Sequence, residues 1–384
     1  MRFVNLILTK IEERRFLQKM VLTTLALVML GLVGVLPIQA KTRLGKYYGG
    51  IEIGSKGVKA IVLEIYSSPE EYDIDVKMDD TINTSVISGT PEAISETADA
   101  VKTFYVRMVE QYKVPEENIF IAGSSGVKES FSGDKLSKLD DLSSKVEQRT
   151  GKRVEYLAVE SEVKHGINGL IPGQFADRSF LIDVGSGNLK CGYQESKSPH
   201  GLNIERFVVI TGFPGTKTFT DKVKEEKGNF LQKAEELQTT LIENSLREQL
   251  ERKPGFQNRS RVYLTGGIAW ALSTLLYPEN DKGYVTLKPQ DFQQFHERVT
   301  ANLDTPDRIF EVDLSKIKNP QKREKAQKQI EKVANTFTAE QLVGGATLLK
   351  GLSREFKFGN KKIYFARYGY LAWIFSYINT KALN

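Results

Sequence analysis

Two short stretches set a carboxylate at the end of an apolar run and follow it at once with small residues. They are Glu52-Ile53-Gly54-Ser55-Lys56-Gly57 and Asp183-Val184-Gly185-Ser186-Gly187-Asn188. With few side chains in the way, the backbone N–H groups of such a turn can face an anion, and phosphate is the anion that suits them. A strand-end acid beside the turn, Glu52 or Asp183, is placed to hold a magnesium ion or its waters against phosphate oxygens. Each turn alone is more often just a tight hairpin that happens to follow an acid. Two of them, each opening a similar run of elements, favour the ligand-binding reading.

Those runs are read from hydrophobic period. After Tyr47 come three β-like segments, around Ile51, Ile61 and Ile74, then the helical stretch PEAISETADAVKTFYVRMVEQYKV, the strand NIFIAG, a further helix and RVEYLAV. A second round follows: SFLIDVGSGNLKCGYQE is again strand, glycine turn, strand, and ERFVVIT supplies a third strand. Helices rich in Lys and Glu lead on to SRVYLTGG, a strand running into the glycine pair Gly266-Gly267. The repeat is one of pattern rather than identity. It predicts two mixed α/β lobes, residues 45–165 and 166–384 with C-terminal helices in the second, and a cleft between them.

Composition restricts the chemistry. At 384 residues and 40% hydrophobic content, the chain is long enough for two ordinary domains. The single Cys191 excludes an internal disulfide framework, and three histidines, His165, His200 and His296, leave any metal to carboxylates. Residues 1–40 read as a separate object: Lys10, Arg14, Arg15 and Lys19 precede VLTTLALVMLGLVGVLPIQA, which breaks at Pro37 and ends in Ala40. This is the pattern of an export signal. Its apolar core falls just short of the roughly 20 residues of a full membrane span, so cleavage after Ala40 competes with anchoring through residues 21–38. The expected location is periplasmic or otherwise extracytoplasmic. The lysine-rich run KIKNPQKREKAQKQIEK reads as a solvated helix face, because Glu is interleaved at helical spacing, and no nucleic-acid partner is expected.

Five blocks in order then carry a family resemblance: GGIEIGSKGVKAIVLEI, YLAVESEVKHGING, FLIDVGSGNLKCGY, YLTGGIAWALSTLL and AEQLVGGATLLKGLSREFKFGNKKIYFARYGYLAWI. Their order and spacing over residues 47–378 resemble the exopolyphosphatase and guanosine pentaphosphate phosphohydrolase (Ppx/GppA) family of the actin-like ATPase superfamily. The resemblance implies two ribonuclease-H-like lobes. It also implies a catalytic glutamate at Glu162, in a block where Gly169 follows seven positions on, with Glu160 as a near rival. The family's first loop, Asp-Leu-Gly-Ser-Asn, corresponds to Glu52 through Lys56. Its second, Asp-Ile-Gly-Gly-Gly-Ser-Thr-Glu, corresponds to Asp183 through Lys190. An arginine of the family aligns with Lys128, its distal acid with Lys190, and its terminal Gly-Leu-Arg block with Gly369-Tyr370-Leu371. The His-Asp module of the family's longer members has no counterpart in these residues.

The resemblance implies a hydrolase of terminal phosphoanhydride bonds in polyphosphate or nucleoside polyphosphates. Such a reaction needs the charge of the transferring phosphoryl spread over donors and metal, with water held in line. Gly54, Ser55, Lys56, Gly57, Lys128, Gly185, Ser186, Gly187, Asn188, Lys190, Gly266 and Gly267 are the expected phosphate contacts. Glu52 and Asp183 are the expected acids for a weakly bound magnesium. Glu162, close to a polyanion, is expected to have a raised pKa suited to deprotonating water. The lysines at 128 and 190 offer point charges where arginine would give a bidentate fork. A phosphate-ligand sensor without turnover on the same fold, and an apyrase-like ectonucleotidase, are the other readings. Oligomeric state, a dimer included, is left open.

Overall fold

A computed structural model describes residues 45–67, 72–131, 133–195 and 206–383. The apolar segment read as an export signal lies outside these residues. Among the described residues no helix is long and apolar enough to cross a membrane.

The first sheet contains β1 (Lys46–Gly54), β2 (Gly57–Ser67), β3 (Tyr72–Asn83), β4 (Ile119–Gly123) and β5 (Glu155–Tyr156), in the order β3-β2-β1-β4-β5. β1, β2 and β3 form an antiparallel meander; β4 pairs with β1, and β5 with β4, in parallel. Between these strands run α1 (Pro91–Glu110), α2 (Ser125–Ser130) and α3 (Leu136–Thr150), and α4 (Val159–Leu170) leads out of the sheet. α1 shows why such a helix forms where it does. Pro91 stands at its first position, the Thr90 hydroxyl accepts from the Ala93 N–H at 3.2 Å, and Ile94, Ala98, Val101, Phe104 and Met108 line its buried stripe at helical spacing.

The second sheet contains β6 (Ser179–Val184), β7 (Asn188–Glu195), β8 (Arg206–Pro214), β9 (Arg261–Thr265), β10 (Tyr284–Leu287) and β11 (Lys362–Ala366), in the order β10-β11-β9-β6-β7-β8. It too opens with an antiparallel meander, β6-β7-β8, beside which β9 pairs in parallel. Its helices are α5 (Thr216–Glu225), α6 (Phe230–Gln238), α7 (Arg247–Arg252), α8 (Gly255–Asn258), α9 (Gly267–Leu276), α10 (Pro289–Ala301), α11 (Pro320–Thr336) and α12 (Ala339–Glu355). The meander-plus-parallel-strand order is thus common to both sheets, as the repeated sequence pattern leads one to expect.

The last helix, α13 (Gly369–Leu383), follows the second sheet in sequence but buries Trp373, Ile374, Tyr377 and Ile378 against Tyr48, Ile61 and Leu63 of the first. Burying four such side chains is worth several kcal/mol. The last helix therefore packs back on the first sheet.

Candidate functional site

The turns after β1 and β6, the start of α2, the first turn of α4 and the start of α9 contribute to the wall of one cavity of about 770 Å³. Every phosphate, metal or catalytic residue expected from the sequence lines it, with one exception: Lys128 does not, and is exposed on α2. The structure therefore does not bring Lys128 to the cavity wall.

The two turns come together at Ser55. A Cβ on Gly187 would lie 2.7 Å from the Ser55 hydroxyl, and one on Gly126 would lie 3.1 Å from it, so a side chain at 187 would displace that hydroxyl. Gly266 follows β9 and caps α9 with φ of 104°, where a Cβ would meet the Val184 carbonyl at 2.1 Å. This is a conformation and a space that suit only glycine. The second turn is tied to α5, since Thr216 N–H donates to the Gly185 carbonyl at 2.9 Å and Lys217 N–H to that of Ser186 at 3.0 Å. The hydroxyl oxygens of Ser186 and Thr216 are buried at the cavity with no protein partner.

Glu162 lies on the buried stripe of α4 with Val163, Gly166 and Ile167, and is 3% exposed; Glu160, about 200° away around the helix, is exposed. One Glu162 oxygen accepts the Ser125 N–H at 2.8 Å, and the other meets the Lys190 ammonium at 2.6 Å. Lys190 also reaches Asp183 at 3.1 Å and the Asn188 side-chain oxygen at 3.3 Å. Burial alone would push the Glu162 carboxyl up. The Lys190 charge and the Ser125 donors outweigh it and hold Glu162 below the usual carboxylate range. This corrects the expectation of a raised value: the neighbour that decides is a cation, not a polyanion. Burial would likewise lower Lys190, but Glu162 and Asp183 hold it above the ordinary lysine value.

The other strand-end acid is paired in the same way. Both oxygens of Glu52 lie 3.1 Å from the Lys59 ammonium, while burial, the largest influence, pushes this carboxyl above its ordinary value. Lys59 was not among the residues singled out from sequence. The signal for it was present: Glu52-Ile-Gly-Ser-Lys-Gly-Val-Lys59 and Asp183-Val-Gly-Ser-Gly-Asn-Leu-Lys190 share acid, aliphatic, glycine, serine, aliphatic and lysine in the same places.

The donor set does not suit a protein-held magnesium. Both acids expected to ligate it are already bound to ammonium groups, and among the described residues no cluster of three or more His, Cys, Asp or Glu side chains could hold a metal. His165 packs rather than reaching the cavity, with Nδ1 3.2 Å from the Ser376 hydroxyl and its ring edge-on to Tyr377. Cys191 is buried and unpaired, its thiol pushed up by burial.

On the first turn, Lys56 spans the cavity to the second half of the chain. Its ammonium donates to the Gln341 side-chain oxygen at 2.8 Å and sits 4.6 Å from the centre of the Phe337 ring. Burial, then the nearby Lys217, bring its pKa down to about 8.

No protein-family model matches the chain, and no curated protein matches it. Solved structures do. A crystal structure of the Aquifex aeolicus member of the Ppx/GppA family aligns with a TM-score of 0.58 at 14% identity, over 88% of this chain and 99% of that one. An exopolyphosphatase from Cytophaga hutchinsonii gives 0.58 at 13%, over 87% and 98%. An exopolyphosphatase-like protein gives 0.63 at 11%, over 89% and 100%. This chain has the fold of the Ppx/GppA structures.

Proposed function

We propose that the protein hydrolyses terminal phosphoanhydride bonds of inorganic polyphosphate or nucleoside polyphosphates in this cavity. The observation that carries the reading is the buried carboxylate of Glu162 on the cavity wall beside two glycine turns, on the fold of exopolyphosphatase structures. The unpartnered hydroxyls of Ser186 and Thr216 supply donors for phosphate oxygens, and Lys56 supplies positive charge. Because the transferring phosphoryl passes through a loose transition state, water needs orientation more than a strong base. A Glu162 carboxylate held ionised by Lys190 can accept the hydrogen bond of that water without first being deprotonated.

A second reading shares the ligand and omits turnover. It is favoured by the same contact, since a carboxylate whose two oxygens already accept Lys190 and Ser125 has little basicity left to offer. Phosphate release and calorimetric binding, measured together on tripolyphosphate, long-chain polyphosphate and nucleoside triphosphates, separate the two. Release with multiple turnovers supports hydrolysis. Binding without release selects the second reading, and neither binding nor release refutes both.

The same titration has an expected pH dependence. Lys56 is an ammonium below about 8 and neutral above it, so affinity for tripolyphosphate should fall as pH rises through that value. A bound polyanion favours the charged form and moves the midpoint upward in the complex. Lys56→Met should bind more weakly and flatten the profile. A wild-type profile that is already flat would remove Lys56 from the binding site.

A further inference from the structure

The two turns of the site are the tips of hairpins built alike. In the antiparallel register Glu52 lies directly across from Lys59, and Asp183 directly across from Lys190. Cross-strand neighbours are close enough for their side chains to meet, and each ammonium closes on its facing carboxylate at 3.1 Å. Lys190 is 5% exposed. An ammonium has three donors, and those of Lys190 find acceptors on Glu162, Asp183 and Asn188. On either hairpin, the acid that could hold a divalent cation against a phosphate is thus already bound to a cation that the chain carries itself.

We propose that Lys59 and Lys190 are this protein's own replacement for a divalent metal, so that the cavity takes its phosphate ligand without a protein-held ion. The proposal rests on the phosphate-ligand reading above. A tethered ammonium offsets carboxylate charge that would repel phosphate, as a metal does, but it carries one charge, not two, and has no open coordination position. Three carboxylates, Glu52, Glu162 and Asp183, face two ammonium groups here. The remaining attraction for a polyanion therefore falls to the turn donors and to the other cations on the cavity wall, Lys56, Lys332 and Arg367 among them.

The first test titrates Mn2+ into the purified full chain and follows the free aqueous ion by electron paramagnetic resonance. Wild type should show no saturable site into the millimolar range. Lys190→Glu, which sets a third carboxylate beside Glu162 and Asp183, should bind Mn2+ at least about tenfold more tightly. Saturable wild-type binding that is abolished by Asp183→Asn overturns the proposal, and this comparison stands even if Lys190→Glu fails to fold. The second test measures tripolyphosphate binding by calorimetry in EDTA and in Mg2+. Affinity retained within about tenfold in EDTA is the expected result. Binding seen only in Mg2+ overturns the proposal while leaving the phosphate reading intact. Binding in neither buffer refutes the phosphate reading and the ligand half of the proposal, and the Mn2+ titration alone then decides the half that concerns metal.

Discussion

Glu162→Gln should lower phosphate release from tripolyphosphate by about a hundredfold or more while ligand affinity holds or tightens. Glutamine keeps an oxygen able to accept the Ser125 N–H, which now lies at 2.8 Å, so the start of α2 should stay in place. What is lost is the negative charge that orients water and draws the Lys190 ammonium to 2.6 Å. Removing that charge from a cavity meant for a polyanion does not weaken binding and relieves some repulsion. A fall in turnover without a rise in Kd is therefore the signature of the assigned role. Glu160→Gln is the control, because that side chain is exposed. Steady-state release and calorimetric Kd on both variants decide the matter. Loss of activity in Glu160→Gln alone would move the role to the other glutamate. Full activity in both would leave Glu162 as a structural partner of Lys190.

How far the sequence shows this site depends on which physical signal each residue leaves. Strand-turn-strand openings are legible because they combine alternation, β-branched residues and glycine, and both observed sheets begin with such a meander. Glu162 is preferred to Glu160 by the family resemblance alone, and in the structure it is the one that shares a buried stripe with Val163, Gly166 and Ile167. Gly169, which the family resemblance marks only by position, has a packing reason: a Cβ there would lie 2.0 Å from the Ala372 carbonyl, where α13 crosses α4. That contact joins segments far apart in the chain, and no local pattern announces it. The same holds for the Glu162 pKa. The sequence points the other way there because the charge that decides it arrives from β7, and a glutamate's own helix does not reveal which cation faces it. Lys59 was missed for a different reason. Its pairing is written in the spacing from the acid, but the spacing acquires meaning only when the two hairpins are compared with each other. The placement of Lys128 depends on the orientation of a helix only six residues long, too short for a period to be read.

Lys190→Met should be strongly destabilising, costing about 3–5 kcal/mol in equilibrium unfolding by urea. The side chains of Lys190 and Glu162 are 6% and 3% exposed, so removing the ammonium leaves a buried carboxylate with only the Ser125 donors as partners. Asp183 also loses its contact but is 19% exposed, and water can take over there. The loss has a defined pH dependence. In the wild type the Glu162 pKa is held down, so the pair's stabilisation is present above the unfolded carboxylate value, about 4.3, and is lost as pH falls through the lower folded one. Without Lys190 burial governs and Glu162 takes up a proton more readily. The stability gap between the two proteins should therefore be widest near neutral pH and narrow as pH falls through the carboxylate range. Adding Glu162→Gln to Lys190→Met should recover a large part of the loss, because the uncompensated charge is then gone, and the double-mutant cycle reads the coupling directly. A pH-independent gap, or a double variant no more stable than Lys190→Met, would mean that the lysine acts through packing of its stem and that the ion pair is not what holds the site together.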